Sequence, residues 1–157
     1  MYNQLQNNLE ELNLTKFKEN LDYYNACVNQ DEKSFCEALT ELTELELKFK
    51  EERAIKACVH TANFPYLKTL KDYDFDFQPS VNKKQLQDLI SLGFLEKHEN
   101  IIFVGTPGTG KTHLATSIGI EAATKRVSTY FISFQELMNQ LKKASYENRL
   151  EKRLKFF

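Results

Sequence analysis

Gly105-Thr106-Pro107-Gly108-Thr109-Gly110-Lys111-Thr112 constrains this chain more than any other stretch. The run satisfies G-x-x-x-x-G-K-[ST], and its flanks match what such a loop requires. Before it lies Ile101-Ile102-Phe103-Val104, a short apolar, β-prone run. After it, Lys111 to Thr124 places Leu114, Ala115, Ile118 and Ala122 at helical spacing. A loop of this kind curls so tightly around an anion that its backbone N–H groups point inward. Glycines leave the curve unobstructed and tolerate positive φ. The helix that follows adds unsatisfied N–H groups and a partial positive charge at its first turn.

The eight residues Gly105, Thr106, Pro107, Gly108, Thr109, Gly110, Lys111 and Thr112 are therefore the candidate binding residues for a nucleoside triphosphate. Lys111 is the compact cation expected to reach the β- and γ-phosphates, and the Thr112 hydroxyl is placed to ligate Mg²⁺. The metal keeps most of its remaining positions for water and phosphate oxygens. No Asn-Lys-x-Asp, the base-selecting signature of guanine-nucleotide switches, occurs, so the expected nucleotide is ATP.

Val127 to Ile132 reads as a second strand, and Ser133 with Glu136 as the capping box of a final helix running towards the C-terminus. The order strand–helix–strand–helix predicts an α/β fold with a parallel sheet. Upstream, the pattern changes. Residues 1–60 contain neither Gly nor Pro, and the spacing predicts helices over 3–12, 15–29 and 34–60. Phe17, Leu21, Tyr24 and Val28 form one apolar stripe, with Thr15 as its expected cap. Phe35, Leu39, Leu42, Leu45 and Phe49 form a second, opened by a Ser34–Glu37 capping box. A helical bundle buries both stripes.

Between these regions, Pro65 and Pro79 bracket an aromatic linker in which Tyr73, Phe75 and Phe77 alternate with acidic residues. In an extended chain all three rings would point one way. They either stack near an adenine or plug a helix or sheet surface, the commoner use of aromatics. Asn82 and Gln85 open a helix over 83–92, with Gly93 as its C-cap. The expected organisation is a helical domain over 1–60, a linker over 61–82, and a partial P-loop domain over 83–157.

At 41% hydrophobic and 27% charged residues, the chain is not mainly disordered. No apolar run approaches the roughly 18 residues of a membrane span. The polar, acidic start is not a signal peptide, so the expected location is the cytoplasm. Cys27, Cys36 and Cys58 show no C-x-x-C spacing, which argues for reduced thiols rather than disulfides or a zinc site. The net charge of −1 divides unevenly. Residues 1–60 carry 12 acidic and 7 basic side chains, and residues 99–157 carry 5 and 9. Any attraction to phosphates must come from this C-terminal third. Its set Lys142, Lys143, Arg149, Lys152, Arg153 and Lys155, interleaved with Glu147 and Glu151, reads first as a solvated amphipathic helix, with a DNA contact secondary.

Gly108 to Thr112 with His113-Leu114-Ala115 resembles the IstB/DnaC-like AAA+ ATPases. So do Phe64-Pro65, Lys68-Thr69-Leu70, Asp72-Tyr73-Asp74-Phe75 and Phe77-Gln78-Pro79-Ser80. The nearer likeness is to IstB, the helper ATPase of insertion-sequence transposons. The resemblance implies ATP and Mg²⁺ at the loop, a transposase as partner, and DNA contacts made through an assembled oligomer. A DnaC-like loader of a replicative helicase is the alternative, and a non-enzymatic interaction remnant is a third. The resemblance also implies an acidic, Mg²⁺-binding strand, sensor residues and an arginine finger, none of which is found up to Phe157. The chain therefore reads as an N-terminal fragment, and hydrolysis by it alone is expected to be absent or very weak. Its two strands would not be neighbours in the family's sheet. They are expected either to pair with each other or to leave exposed edges.

Overall fold

The computed structural model describes residues 1–157. The chain divides into two compact units, Met1–Ala54 and Ile55–Phe157. The first contains α1 (Tyr2–Glu11), α2 (Thr15–Asn29) and most of α3 (Phe35–Thr61). The second contains the end of α3, a 3-10 turn (Leu70–Asp72), α4 (Lys83–Ile90), α5 (Gly93–Glu96), α6 (Lys111–Thr124), α7 (Phe134–Tyr146) and α8 (Leu150–Leu154). No helix is long and apolar enough to cross a membrane.

In the first unit Tyr24, Ala38 and Leu42 form the buried cluster, with Phe17 and Val28 packed against it. The buried face of α3 is Ala38, Leu42 and Glu46, whereas Phe35, Leu39 and Leu45 of the expected stripe are exposed. The stripe is offset because one of its buried positions is a glutamate, which a search for apolar periodicity passes over. Ser34 and Glu37 do cap α3: the Glu37 carboxylate accepts from Ser34 N at 2.8 Å, and Glu37 N donates to Ser34 Oγ at 3.2 Å. Thr15 is the first residue inside α2 rather than its cap, and Leu14 holds the cap position without a side-chain bond.

The α/β parallel sheet expected for the second unit is not there: the chain contains no strand. Both β-prone runs remain without ladder partners and do not pair with each other. The Ile101–Val104 run does alternate, as an extended chain must. Ile101 and Phe103 pack against α4–α6 residues, while Ile102 and Val104 are 81% and 89% exposed. One buried face fixes the run's place but supplies no N–H or C=O partner, and strand propensity expresses itself through pairing. In the Val127–Ile132 run, the Phe131 N–H is spent on the Ala62 carbonyl at 2.7 Å, beyond the end of α3.

Helix α4 is capped by Asn82, which accepts from Gln85 N at 3.1 Å. Its exit differs from expectation. Leu92, not Gly93, adopts the left-handed conformation (φ 69°), and Gly93 opens α5. Left-handed backbone costs roughly 1–2 kcal/mol for a residue with a Cβ. Leu92 recovers it by burying its side chain against Ile118 and Ala122, worth about 1.5–3 kcal/mol. The final helix is also broken. Asn148 turns left-handed (φ 54°) and separates α7 from α8.

Candidate nucleotide-binding loop

The loop owes its shape to two glycines. Gly108 and Gly110 hold φ at +84° and +79° on either side of Thr109, a left-handed conformation that glycine adopts without the strain a Cβ would bring. Thr109 Oγ1 donates to the Thr106 carbonyl at 2.9 Å, and Lys111 Nζ donates to the same oxygen at 2.7 Å. The lysine expected to face a phosphate therefore lies across the loop on its own backbone. Gly105 to Gly108 are exposed, Thr109, Gly110 and Lys111 are half-buried, and Thr112 is exposed on the first turn of α6.

Gly110 is the N-cap of α6 and supplies no side-chain cap. The first N–H groups of a helix have no acceptor within it. Lys111, Thr112 and His113 thus present amides that no cap side chain satisfies, backed by a 14-residue helix. Such an end attracts anions. The donor set fits a phosphate chain: loop amides, helix amides and one ammonium. The Thr112 hydroxyl, exposed on the first turn of α6, is the oxygen ligand expected to meet a metal, and no cluster of three His, Cys, Asp or Glu side chains able to hold one exists.

The aromatic linker is strapped along α6 and the loop. His113 Nε2 lies 3.0 Å from the Thr69 carbonyl, which can only accept, so this nitrogen carries the proton. Ser117 Oγ lies 3.2 Å from the Lys68 carbonyl. Asp72 accepts from both Thr69 N and Thr69 Oγ1, at 2.8 and 2.9 Å. Those two bonds hold its carboxyl below the ordinary value, and the nearby His113 and Lys68 act in the same direction. Asp74 then ends the extended run by accepting from Asp76 N and Phe77 N. The three rings consequently do not share a face. Tyr73 is buried against the loop, Phe75 is half-buried beside it, and Phe77 is 71% exposed.

Beside the loop opens a cleft of about 430 Å³, floored by Leu86, Leu89, Phe103 and Leu114 and edged by Gln78, Gln85, Thr106 and Lys111. No carboxylate lines it. A second cleft, of about 520 Å³, lies between α7 and α8 and gathers Lys143, Arg149, Lys152, Arg153 and Lys155 around Glu147. Two of its cations are engaged: Arg149 pairs with Glu147, and Arg153 donates to Gln140 while standing over the Phe156 and Phe157 rings.

The family model described as IstB-like ATP binding protein matches residues 7–157. The chain belongs to this family. Among other IstB-like proteins, one from insertion sequence IS232 of Bacillus thuringiensis subsp. berliner, named as an ATP-binding protein, is 50% identical over 99% of this chain and 62% of its own length. A similarly named protein of insertion sequence IS5376 from Geobacillus stearothermophilus is 44% identical over 79% of this chain and 49% of its own. One of insertion sequence IS21 from Pseudomonas aeruginosa is 39% identical over 67% and 40%. This IstB-like chain thus spans less than two thirds of the length of these relatives.

The strap's grip on the loop has no local signature in the sequence. Tyr73 and Thr109 are 36 residues apart. The acidic–aromatic alternation marks three rings as candidates without saying which one meets the backbone.

Proposed function

We propose that this chain binds ATP through Gly105–Thr112, with Mg²⁺ on the Thr112 hydroxyl, as the cytoplasmic nucleotide-binding helper of an insertion-sequence transposase. The observation that carries this reading is the glycine-capped start of α6, where Lys111, Thr112 and His113 offer amides with no side-chain cap. A triphosphate satisfies those donors and neutralises the Lys111 ammonium, which turns from the Thr106 carbonyl to the phosphates. Bound Mg²⁺ would screen the phosphate charge. Because the cleft beside the loop holds no carboxylate to orient water, this chain by itself binds ATP and turns it over very slowly or not at all. The relatives named above are all insertion-sequence proteins, which favours a transposase over a replicative helicase as partner. The basic cleft between α7 and α8 suits a DNA backbone when several copies assemble.

Equilibrium dialysis with labelled ATP tests the proposal. The parent chain retains nucleotide in the presence of Mg²⁺, and Lys111→Ala loses at least tenfold in affinity with unchanged far-ultraviolet circular dichroism. Equal affinity in the two proteins refutes the role given to Lys111. Co-purification with the element's transposase, and not with a replicative helicase, supports the partner.

A further inference from the structure

We propose that Tyr73 is a positioning residue for the phosphate site, acting through the Thr109–Gly110 peptide; the inference rests on the ATP-binding reading of the loop. Tyr73 Oη donates to the Thr109 carbonyl at 3.1 Å. The chain has no cis peptide bond, and a planar trans peptide holds its C=O and N–H antiparallel. Fixing the Thr109 oxygen towards Tyr73 therefore fixes the Gly110 N–H away from it. That amide adjoins the uncapped donors of α6. Without the hydroxyl, this carbonyl loses its hydrogen-bond partner, and the Thr109–Gly110 peptide, with a left-handed glycine on its C-terminal side, is less firmly oriented.

The ring is in place to do this. Tyr73 is only 9% exposed and packs in one cluster with Leu86 and Leu114, the latter on α6 itself. Phe75 and His113 meet it edge-on, with centroids at 5.0 and 5.3 Å, and His113 is anchored in turn to the Thr69 carbonyl. On the loop side the fit leaves no spare room. A Cβ built on Gly110 would lie 2.6 Å from Tyr73 Cε2 and 3.2 Å from its hydroxyl oxygen. Enclosed in this way, the ring offers little surface on which a base could stack. Packing alone asks only for a phenyl ring, and the hydroxyl is spent on the loop.

Tyr73→Phe keeps the ring and removes the hydroxyl. Binding of Mg²⁺–ATP and of Mg²⁺–tripolyphosphate, which has no base, is measured by calorimetry at a temperature where circular dichroism shows every variant fully folded. Both ligands should weaken by the same factor, about 3- to 10-fold, the worth of one lost hydrogen bond. Hydrogen exchange at the Gly110 amide should quicken in the ligand-free variant. Leu70→Val, which trims the same apolar cluster at a residue that lines neither the loop nor its cleft, should bind both ligands as the parent does. The inference is overturned if Tyr73→Phe binds both ligands normally. It is equally overturned if only ATP weakens, which would indicate a base contact, or if Leu70→Val weakens both as much, which would indicate general loosening. Failure of the parent to bind either ligand sinks the ATP-binding reading itself, a result separable from all of these.

Discussion

Glu46 of α3 accepts the Phe17 N–H at 3.0 Å, so the start of α2 is capped from another helix, 29 residues along the chain. The carboxylate is almost wholly buried, at 3% exposed. It answers an end that Leu14, holding the cap position, cannot satisfy. Glu46→Ala strips the acceptor from a partly buried N–H, and leaving such a donor unpaired costs about 1–3 kcal/mol. We expect urea unfolding of Glu46→Ala, followed by circular dichroism, to show a loss of that order. Glu46→Gln, which still accepts, should lose less than half as much. Equal losses would mean that the charge, not the acceptor, holds the helix end.

The two left-handed glycines of the loop form a matched pair. An added Cβ at Gly108 meets nothing within 4 Å, whereas at Gly110 it strikes the Tyr73 ring. Gly108→Ala should therefore cost only the backbone term, roughly 1–2 kcal/mol. Gly110→Ala should cost that plus an overpacking term of about 1–3 kcal/mol, because Tyr73 is fixed on three sides. In thermal melts the second variant should unfold several degrees below the first, at about 2–4 °C per kcal/mol. Coincident melts would place the Tyr73 ring elsewhere.

The strap should loosen in acid through Asp72. The Thr69 N–H and hydroxyl favour its ionised form and lower its folded value from the usual 3.8. For a carboxyl lowered on folding, the stabilisation is complete above the unfolded value and disappears as pH falls through the lowered one. Exchange of the Thr69 amide should therefore quicken as pH drops from about 4 downward, relative to the intrinsic rate. Asp72→Asn, which keeps the shape without the charge, should remove most of that pH dependence. An unchanged profile in Asp72→Asn would assign the acid response to another group.

The sequence carries the helices because each helix carries its own information. The stripe from Phe17 to Val28 implies 15–29, and α2 spans Thr15–Asn29. The amphipathic run after the loop implies 111–124, and α6 spans Lys111–Thr124. A strand differs in kind, since half of it is a partner. Ile101–Val104 has the composition of a strand and even its alternation, but nothing local to the run says which backbone will face it. Position-by-position cues fail in the same way. Gly93 looks like the residue for a left-handed turn, yet Leu92 takes it because its side chain has a place in the core. At the site, the curl was legible because Gly108 and Gly110 tolerate positive φ without strain, and both adopt it. The Lys111–Thr106 and Tyr73–Thr109 bonds depend on where the chain returns, which residue type does not encode.

Hydrogen exchange of the loop, followed residue by residue with and without saturating Mg²⁺–ATP, decides whether its amides hold the nucleotide. Protection should concentrate on the amides from Gly105 to Thr112 and extend to His113 at the start of α6, with little change along α1 and α2. Uniform exchange across the loop in both conditions, in a chain whose helices are intact, would contradict the claim that these amides grip the phosphates.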